Sequence, residues 1–437
     1  MREFDFFWLH RENLSSLFSL ATRVLLVLSA LANVPAFAEE GLHLGGFGTL
    51  GYNYDNKPDI APARDVSQLP KHNYATGPGW LVDSRVGVQF EYGVSPNIDL
   101  VGQVVLRDHF KADFDSSTEL AYVSVKPQPQ LDIRVGRINY DAFLMSDYRN
   151  VGYAYPWVRP PAEFYGLIPI FSVNGIDAAY NILTEDFLAD DARWRIKVQA
   201  GSSRYSAPVG SGKDGGYDFT AENLVGLSVT RQTEFWRLKM AHSRFIVGNE
   251  VPAFAPLHQG LDSVAAAGVP AISAEAADLR KNISFKDAEI GYTTLGAAYD
   301  DGTWLAQGEL GYASSTANVV PHGRMGYASL GRRLGEWMPF VMVSTSRPDN
   351  DVRYAANDWG AYNAIMRDPA FHILNTIRIE QNTVSIGARW DFSRNAALKL
   401  QWDRTDIKPS GYGLWWRNPA GTTSRVDLLS ATLDFMF

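Results

Sequence analysis

Apolar and polar positions alternate in many short stretches of this chain. In 384–390 the even positions hold Val, Ile, Ala and Trp, whereas the odd positions hold Ser, Gly and Arg. The same alternation recurs in 193–200, 236–240, 398–403 and 429–437. Successive side chains of a β-strand point to opposite faces, so a period of two predicts strands with one apolar face and one polar face. The chain is therefore predicted to be all-β.

Over the whole chain, the alternation predicts sixteen strands of about 10–13 residues, the length that a tilted strand needs to cross the hydrocarbon of a bilayer. They lie near 44–54, 80–92, 98–110, 117–126, 131–138, 174–183, 192–203, 219–230, 235–246, 283–299, 303–314, 324–333, 337–346, 376–391, 396–406 and 426–437.

The gaps between the predicted strands mostly alternate between short and long. Short turns are predicted at 93–97, 127–130, 300–302, 334–336 and 392–395. Long gaps are predicted at 55–79, 139–173, 247–282, 347–375 and 407–425. Short periplasmic turns and long extracellular loops are typical of a transmembrane antiparallel β-barrel. An even number of strands also returns the C-terminus to the rim at which the first strand begins.

The alternative is a set of strands around a soluble core. Two features favour the membrane barrel instead: aromatic residues recur at the ends of the apolar faces, and charged residues occupy the opposite faces in mid-strand. Aromatic residues make up 13% of the chain and charged residues 20%, with 37 glycines and 12 tryptophans. With a mean hydropathy of −0.16, the chain is too polar for a polytopic helical membrane protein.

Charge and cysteine content exclude several other classes of protein. The chain has no cysteine, so disulfide scaffolds, thiolate zinc sites and cysteine nucleophiles are excluded. The net charge of −8 argues against a nucleic-acid partner, because affinity for nucleic acid depends on clustered Lys and Arg. The eight histidines are scattered without metal-ligand spacing, so we expect neither a metal site nor a cofactor.

The first 38 residues have the pattern of a secretory signal peptide. Arg23 precedes an apolar run over 24–32, and the segment ends in Ala36-Phe37-Ala38, an A-x-A cleavage site. The run is too short for a transmembrane anchor. We therefore expect residues 1–38 to be cleaved after export and residues 39–437 to form the barrel.

The opening strand Leu44–Tyr54 and the terminal strand, which carries Leu433, Phe435 and Phe437, complete a pattern that resembles the Gram-negative outer-membrane porins. The resemblance covers the whole mature chain. It implies an outer-membrane channel for passive diffusion of small hydrophilic solutes or ions. It further implies a homotrimer in contact with membrane lipid and lipopolysaccharide, and a terminal strand that the barrel assembly machinery recognises.

In general porins the third outer loop folds inward and narrows the pore, and the corresponding segment here is 139–173. Several prolines stiffen it, which suits a loop that keeps its shape in water. By resemblance we expect it to form the constriction; a surface loop or an intersubunit latch is the alternative. The candidate constriction residues are Asp141, Asp147, Arg149, Arg159 and Glu163 of the segment and Arg85, Arg107 and Arg134 of the nearby wall.

Further cations are predicted on the inward faces of strands seven and nine: Arg195, Lys197, Arg237 and Lys239. Wall cations opposite loop carboxylates would set up a transverse field, and a wall of one sign selects ions of the other sign. The alternative is that charges in a water-filled lumen are solvated and pair locally. The wall charges favour small anionic or polar solutes, and a channel selective for small anions, sugars or carboxylates remains an alternative to a general porin.

Other functions have weaker support in the sequence. The residues Gly46, Gly48 and Gly51 match the dinucleotide fingerprint G-x-G-x-x-G, but a strand rather than a helix is predicted after them. A barrel enzyme would need a nucleophile beside a base, and the nearest pair, His242 and Ser243, points to opposite faces of a strand. We therefore predict no enzymatic activity. A barrel acting as an adhesin or receptor through 247–282 and 347–375 is the less favoured alternative.

Overall fold

In a computed structural model of the chain, the described residues form a closed antiparallel barrel of sixteen strands, which confirms the predicted fold class and strand number. The structure describes residues 41–57, 59–68, 79–109, 113–186, 189–208, 216–417 and 423–437. The predicted signal peptide lies outside the described residues. The barrel strands are β1 (Leu42–Asp55), β2 (Arg85–Ser95), β3 (Ile98–Arg107), β4 (Thr118–Gln128), β5 (Leu131–Asn139), β6 (Ser172–Asp186), β7 (Ala189–Pro208), β8 (Gly216–Gln232), β9 (Trp236–Val247), β10 (Glu289–Asp300), β11 (Trp304–Ser315), β12 (Gly323–Arg332), β13 (Trp337–Pro348), β14 (Ile379–Ser393), β15 (Ala396–Tyr412) and β16 (Arg425–Met436).

Each strand pairs with its neighbours in sequence, and β1 pairs with both β2 and β16. At the seam between β1 and β16, Leu50 lies opposite Leu433 and Phe47 lies opposite Met436. Full closure satisfies the backbone hydrogen bonds of every barrel strand without leaving an open sheet edge.

Short turns and long segments lie at opposite rims, as predicted. Turns of two to four residues at 96–97, 129–130, 233–235, 301–303, 333–336 and 394–395 form one rim. The segments at the other rim contain the helices α1 (Phe114–Ser117), α2 (Ala162–Tyr165), α3 (Ala255–Ala265), α4 (Pro270–Asn282) and α5 (Asp368–Thr376). Two three-residue strands of this rim, Ile60–Pro62 and Trp415–Arg417, pair with each other outside the barrel sheet. None of the helices in the described part of the chain is long and apolar enough to cross a bilayer.

The outer face of the barrel is apolar. Its exposed side chains include Val135, Val198, Met240, Leu295, Leu310, Val341, Ile386, Leu400 and Leu429. At the rim of short turns, Trp236, Trp304 and Trp337 begin their strands and are exposed. The Trp337 ring stacks on that of Trp390 at a centroid distance of 5.3 Å. An apolar band bordered by aromatic side chains is the surface that a barrel presents to lipid.

The second strand begins later than the alternation predicts. It starts at Arg85 rather than near Trp80. The preceding residues turn away from the sheet because their polar groups bind elsewhere: Asp83 accepts a hydrogen bond from Asn53 (2.8 Å), and Ser84 accepts one from the backbone N–H of Gly51 (2.9 Å). Local side-chain bonding thus replaces the sheet ladder at this point.

The three glycines of the apparent dinucleotide fingerprint have a packing role in β1. A Cβ atom at Gly46 would lie 2.3 Å from the Phe437 ring, and one at Gly48 would lie 2.3 Å from the Phe435 ring. A Cβ atom at Gly51 would lie 2.7 Å from that of Asp83. Glycine is needed at Gly46 and Gly48 because the terminal aromatic side chains lie over the backbone of the first strand where the barrel closes, and at Gly51 because Asp83 lies against the backbone there.

Candidate functional site: the barrel interior

The segment between β5 and β6, residues 140–171, lies inside the barrel and is called the internal segment below. Its Trp157 indole donates a hydrogen bond to the Ser329 hydroxyl of β12 (2.7 Å), and the backbone N–H of Val158 donates to Gln401 of β15 (2.9 Å). These partners lie on the wall opposite the strands from which the segment departs. The internal segment therefore crosses the lumen and covers the far wall.

A buried apolar core fixes the internal segment against that wall. Tyr140, Phe143, Met145, Trp157 and Phe164 are at most 2% exposed. The ring centroids of Phe143 and Phe164 lie 5.7 Å apart at an edge-to-face angle, an arrangement that stabilises aromatic pairs beyond the burial of area. The same core includes side chains of α3, α4 and α5 from the outer segments. One side of the lumen is therefore filled with protein.

Paired charges fasten the internal segment to the wall at several points. Arg159 forms ion pairs with Asp83 (2.6 Å) and Asp403 (3.2 Å). Burial alone would lower the pKa of Arg159, but the Asp83 carboxylate raises it above its ordinary value. Asp141 pairs with Lys239 and with Lys197 (3.3 Å). Because buried charges are tolerated only when paired, these contacts hold a single arrangement of the segment.

Arg85 and Glu163 also hold the internal segment. The Arg85 guanidinium donates to the Asn150 carbonyl (2.5 Å) and to the Tyr155 hydroxyl (2.6 Å). Glu163 accepts hydrogen bonds from Ser344 (2.7 Å), Gln381 (2.6 Å) and Thr383 on the far wall. Arg85 and Glu163, together with Arg159, thus bind protein groups. The sequence predicted that wall cations such as Arg85 would lie opposite loop carboxylates such as Glu163 across the lumen. In the structure these two side chains bind protein groups instead.

Space remains in the lumen between the internal segment and the near wall formed by β2–β9. A cavity of about 450 Å³ occupies the half nearer the short turns and is called the lower cavity. Its lining includes seven cations and three carboxylates: Arg134, Arg149, Arg193, Arg195, Lys197, Arg237 and Lys239, with Glu119, Asp141 and Asp147. Most of the wall cations predicted from the sequence therefore come together along one cavity.

The charges of the lower cavity do not balance. Asp141 is compensated by two lysines, and Arg134 forms an ion pair with Asp177 (2.5 Å). Arg195 lies 3.4 Å from Asp132. Arg149, Arg193 and Arg237 have no carboxylate within ion-pair distance among the described residues. The lower cavity therefore carries an excess of positive charge.

A smaller cavity of about 100 Å³, the upper cavity, lies at the rim of long segments. Arg107, His109, Asp115 and Arg137 are among its lining residues. The upper and lower cavities share two lining residues, Glu119 and Phe171. The region around Glu119 and Phe171, which lies between the two cavities, is called the neck.

At the neck, two guanidinium groups pack against the Phe171 ring. The Cζ atom of Arg107 lies 3.5 Å from the ring centroid, and that of Arg149 lies 3.3 Å from it. Two atoms this close to one centroid must lie on opposite faces of the ring, about 7 Å apart. Charges at that separation repel by about 2 kcal/mol at an effective dielectric constant of 20. Burial and then Arg107 lower the pKa of Arg149 below its ordinary value.

The surroundings of Arg107 partly offset this repulsion. Asp65 and Glu119 each lie 3.6 Å from its guanidinium, and its Nε donates a hydrogen bond to His109 (2.8 Å). Burial alone would raise the pKa of Asp65, but Arg107 and Arg64 lower it to about 2. Burial and then Arg107 lower the pKa of His109 to about 3, so His109 is a neutral acceptor at neutral pH.

The lining residues that were not predicted from the sequence include Arg193, Glu119 and Phe171. Arg193 precedes Arg195 and Lys197 at the same alternating positions of β7, so the pattern contained the information needed to find it. Glu119 lies on β4, where the alternation is mixed. No local pattern marks Phe171, because only the closed barrel places it between two arginines.

Comparison with known proteins supports the fold alone. No protein-family model matches the chain, and no curated protein matches it in sequence. Among solved structures, the anion-selective porin from Comamonas acidovorans has a TM-score of 0.50 at 11% identity, covering 91% of this chain and 99% of that one. OmpF of Salmonella typhi, in complex with daunomycin, has a TM-score of 0.48 at 12% identity, covering 91% and 97%. OmpT of Vibrio cholerae has a TM-score of 0.47 at 10% identity, covering 92% and 99%. The Comamonas likeness shows that the chain shares the barrel fold of the porins.

Proposed function

We propose that this protein is a passive diffusion channel of the Gram-negative outer membrane that prefers small anions. The observation that carries the proposal is the lower cavity, a polar space with excess positive charge inside a closed barrel whose outer face is apolar. Fixed cations along a narrow lumen raise the local concentration of anions and repel cations.

The size of the cavities supports a narrow channel for small solutes. A sixteen-stranded barrel encloses a wide lumen, but the internal segment and three outer helices fill one side of this one. We infer that solutes cross along the near wall, through the lower cavity, past the neck and through the upper cavity. We infer that the internal segment forms the constriction, as the resemblance to porins implies.

Reconstitution of the purified protein in planar bilayers tests this function directly. We expect discrete conductance steps. Under a tenfold KCl gradient, we also expect a reversal potential with the same sign as the equilibrium potential of chloride. Absence of conductance steps would refute the channel. Conductance steps with a reversal potential of the opposite sign would support the channel but refute its preference for anions.

Export and assembly form a second part of the proposal. Cleavage after Ala38, recognition of Leu433, Phe435 and Phe437 by the barrel assembly machinery, and a homotrimer in contact with lipid and lipopolysaccharide all follow from the resemblance to porins. N-terminal sequencing of protein from outer-membrane fractions should begin at Glu39. Heat-sensitive migration at three times the mass of the monomer would support the trimer, and migration as a monomer after gentle extraction would oppose it.

A further inference from the structure

Two arginines lie directly opposite each other on the outer face of the barrel. The register of β12 and β13 pairs Arg324 with Arg347, and both side chains are exposed at positions that alternate with the buried, inward-facing ones. The Arg324 side chain is 81% exposed. Like charges directly opposite on neighbouring strands repel each other, so an anion beside the two arginines would relieve an unfavourable register.

Elsewhere on the outer face, the register places opposite charges together. On β15 and β16, Arg404 lies opposite Asp427 and Arg425 lies opposite Asp406, and the two ion pairs measure 2.8 and 2.6 Å. The arginines of β12 and β13 lack such a match across the strands.

One carboxylate lies near the opposed arginines. Asp349 Oδ1 is 3.9 Å from Arg324 Nε, at the limit of an ion pair, and Asp349 also accepts a hydrogen bond from the Tyr312 hydroxyl. Among the described residues, Arg347 has no carboxylate within ion-pair distance. Asp349 therefore offsets only one of the two positive charges.

The height of the opposed arginines on the barrel matches that of lipid headgroups. Trp337 begins β13 at the rim of short turns, and Arg347 follows ten residues later on the same face. At about 3.3 Å per residue and a tilt of about 40°, ten residues rise about 25 Å, which is the height of the apolar band of a membrane barrel. The two guanidinium groups therefore lie at the edge of the hydrocarbon on the side of the long segments.

Small residues form a shallow groove in the outer face on the membrane side of the opposed arginines. Ala297, Gly308 and Ala328 lie opposite one another on β10, β11 and β12. Gly326, the next outward position of β12, continues this groove toward the arginines. Leu310 lies opposite Gly326 and is 67% exposed, so it forms a raised border. An acyl chain in the groove would make close dispersion contacts with the sheet.

We propose that Arg324 and Arg347 bind the phosphate groups of a phosphorylated glycolipid in the outer leaflet, with one acyl chain in the shallow groove. A phosphate monoester carries nearly two negative charges at neutral pH and accepts hydrogen bonds from both guanidinium groups. The phosphodiester of a glycerophospholipid carries a single charge and fits the site less well. This inference rests on the proposed location in the outer membrane and gives the expected contact with lipopolysaccharide a defined site.

Titration of the purified barrel in detergent with lipid A, the phosphorylated glycolipid anchor of lipopolysaccharide, tests the site by native mass spectrometry. The double variant Arg324→Gln/Arg347→Gln should raise the dissociation constant of lipid A at least tenfold, because both guanidinium groups are lost. Dephosphorylated lipid A should bind the wild type as weakly as lipid A binds the double variant. Phosphatidylglycerol should bind the wild type at least tenfold more weakly than lipid A. Ala328→Leu should weaken lipid A binding severalfold, because it fills the groove.

A matched control separates the site from general attraction between anionic lipid and a cationic surface. Arg332 lies on the same strand and the same outward face as Arg324 but at the rim of short turns. Arg332→Gln removes an equal charge there, so the dissociation constant of lipid A should stay within twofold of the wild-type value. Heat-modifiable migration in gels first checks that each variant is folded.

The outcomes distinguish this inference from the proposed channel. Equal dissociation constants for the wild type and the double variant, or an equal loss of binding in Arg332→Gln, would overturn the site. Equal binding of lipid A and its dephosphorylated form would overturn recognition of phosphate, and equal binding of phosphatidylglycerol would overturn the preference for the glycolipid. Conductance is recorded from the same preparations. A barrel that binds lipid A through the two arginines but does not conduct would refute the channel and leave the site standing.

Discussion

Lys399 of β15 and Asp434 of β16 form an ion pair of 3.1 Å in which neither side chain is exposed to solvent. Lys399 also donates to the carbonyls of Gly152 (2.6 Å) and Trp157 (2.9 Å) in the internal segment. Asp434 accepts a hydrogen bond from Thr49 of β1 (2.5 Å). The pair therefore ties the internal segment to the seam at which the barrel closes.

Replacing one member of this pair should be more harmful than replacing both. Lys399→Met leaves a buried carboxylate unpaired, and removal of one partner of a buried ion pair costs roughly 3–5 kcal/mol. The double variant Lys399→Met/Asp434→Asn should recover much of that loss in the free energy of unfolding. Urea unfolding, monitored by the change in gel migration, measures the free energy of unfolding of the single and the double variant. Equal loss of stability in the single and double variants would contradict the role given to the pair.

The positive charge of the lower cavity should control ion selectivity mainly at low salt. The double variant Arg193→Gln/Arg237→Gln should shift the reversal potential toward cations at about 10 mM salt, where the Debye length is about 30 Å. At about 1 M the Debye length is roughly 3 Å, and the shift should nearly vanish. Asp147→Asn is the control, and it should shift the reversal potential toward anions, because Asp147 is an exposed carboxylate of the same cavity. Unchanged reversal potentials in both variants would remove these residues from the ion path.

Closure of the barrel should depend on the contact between the first and last strands. Gly48→Val places a side chain where the Phe435 ring lies, so we expect a lower yield of folded protein and induction of envelope stress. Deletion of Phe437 should have the same effect, because its backbone exchanges hydrogen bonds with Gly46 (2.9 and 3.0 Å). Gly268→Ala serves as a comparison in an outer segment, since no atom lies within 4 Å of the added Cβ, although its positive φ carries some strain. Normal folding of the Gly48 and Phe437 variants would contradict the prediction.

His109 should make the neck sensitive to strong acid. Its pKa of about 3 lies below the value of about 6.5 for free histidine, so the folded protein favours the neutral side chain. This contribution to stability is complete above about pH 6.5 and is lost as the pH falls from about 6.5 to about 3. The hydrogen bond from Arg107 should persist until the pH approaches about 3, when protonated His109 can no longer accept it. Conductance recorded from neutral pH down to about pH 3 should therefore differ between wild type and His109→Gln only near the acid end. A difference that already appears near about pH 6 would refute the assignment.

The orientation of the barrel in the membrane can be tested by labelling, because the chain contains no native cysteine. Cysteines introduced at Ser263 and Ala355, both exposed in the long segments, should react with an impermeant maleimide on intact cells. Cysteines at Ser95, Thr303 and Ser393, exposed at the short turns, should react only after the outer membrane is permeabilised. Labelling of the second group in intact cells would reverse the predicted topology.

The sequence by itself determined the all-β class, the sixteen strands and the alternation of short and long connections, because strand period and turn length are local properties of the chain. It also placed Arg195, Lys197, Arg237 and Lys239 on inward faces for the same reason. Only the tertiary structure decided which charges remain available in the lumen. Arg159 is neutralised by Asp83 and Asp403, residues 76 and 244 positions away, and Phe171 meets Arg107 only when the internal segment has crossed the barrel. Such pairings depend on closure of the whole sheet, and no periodicity along the chain encodes them.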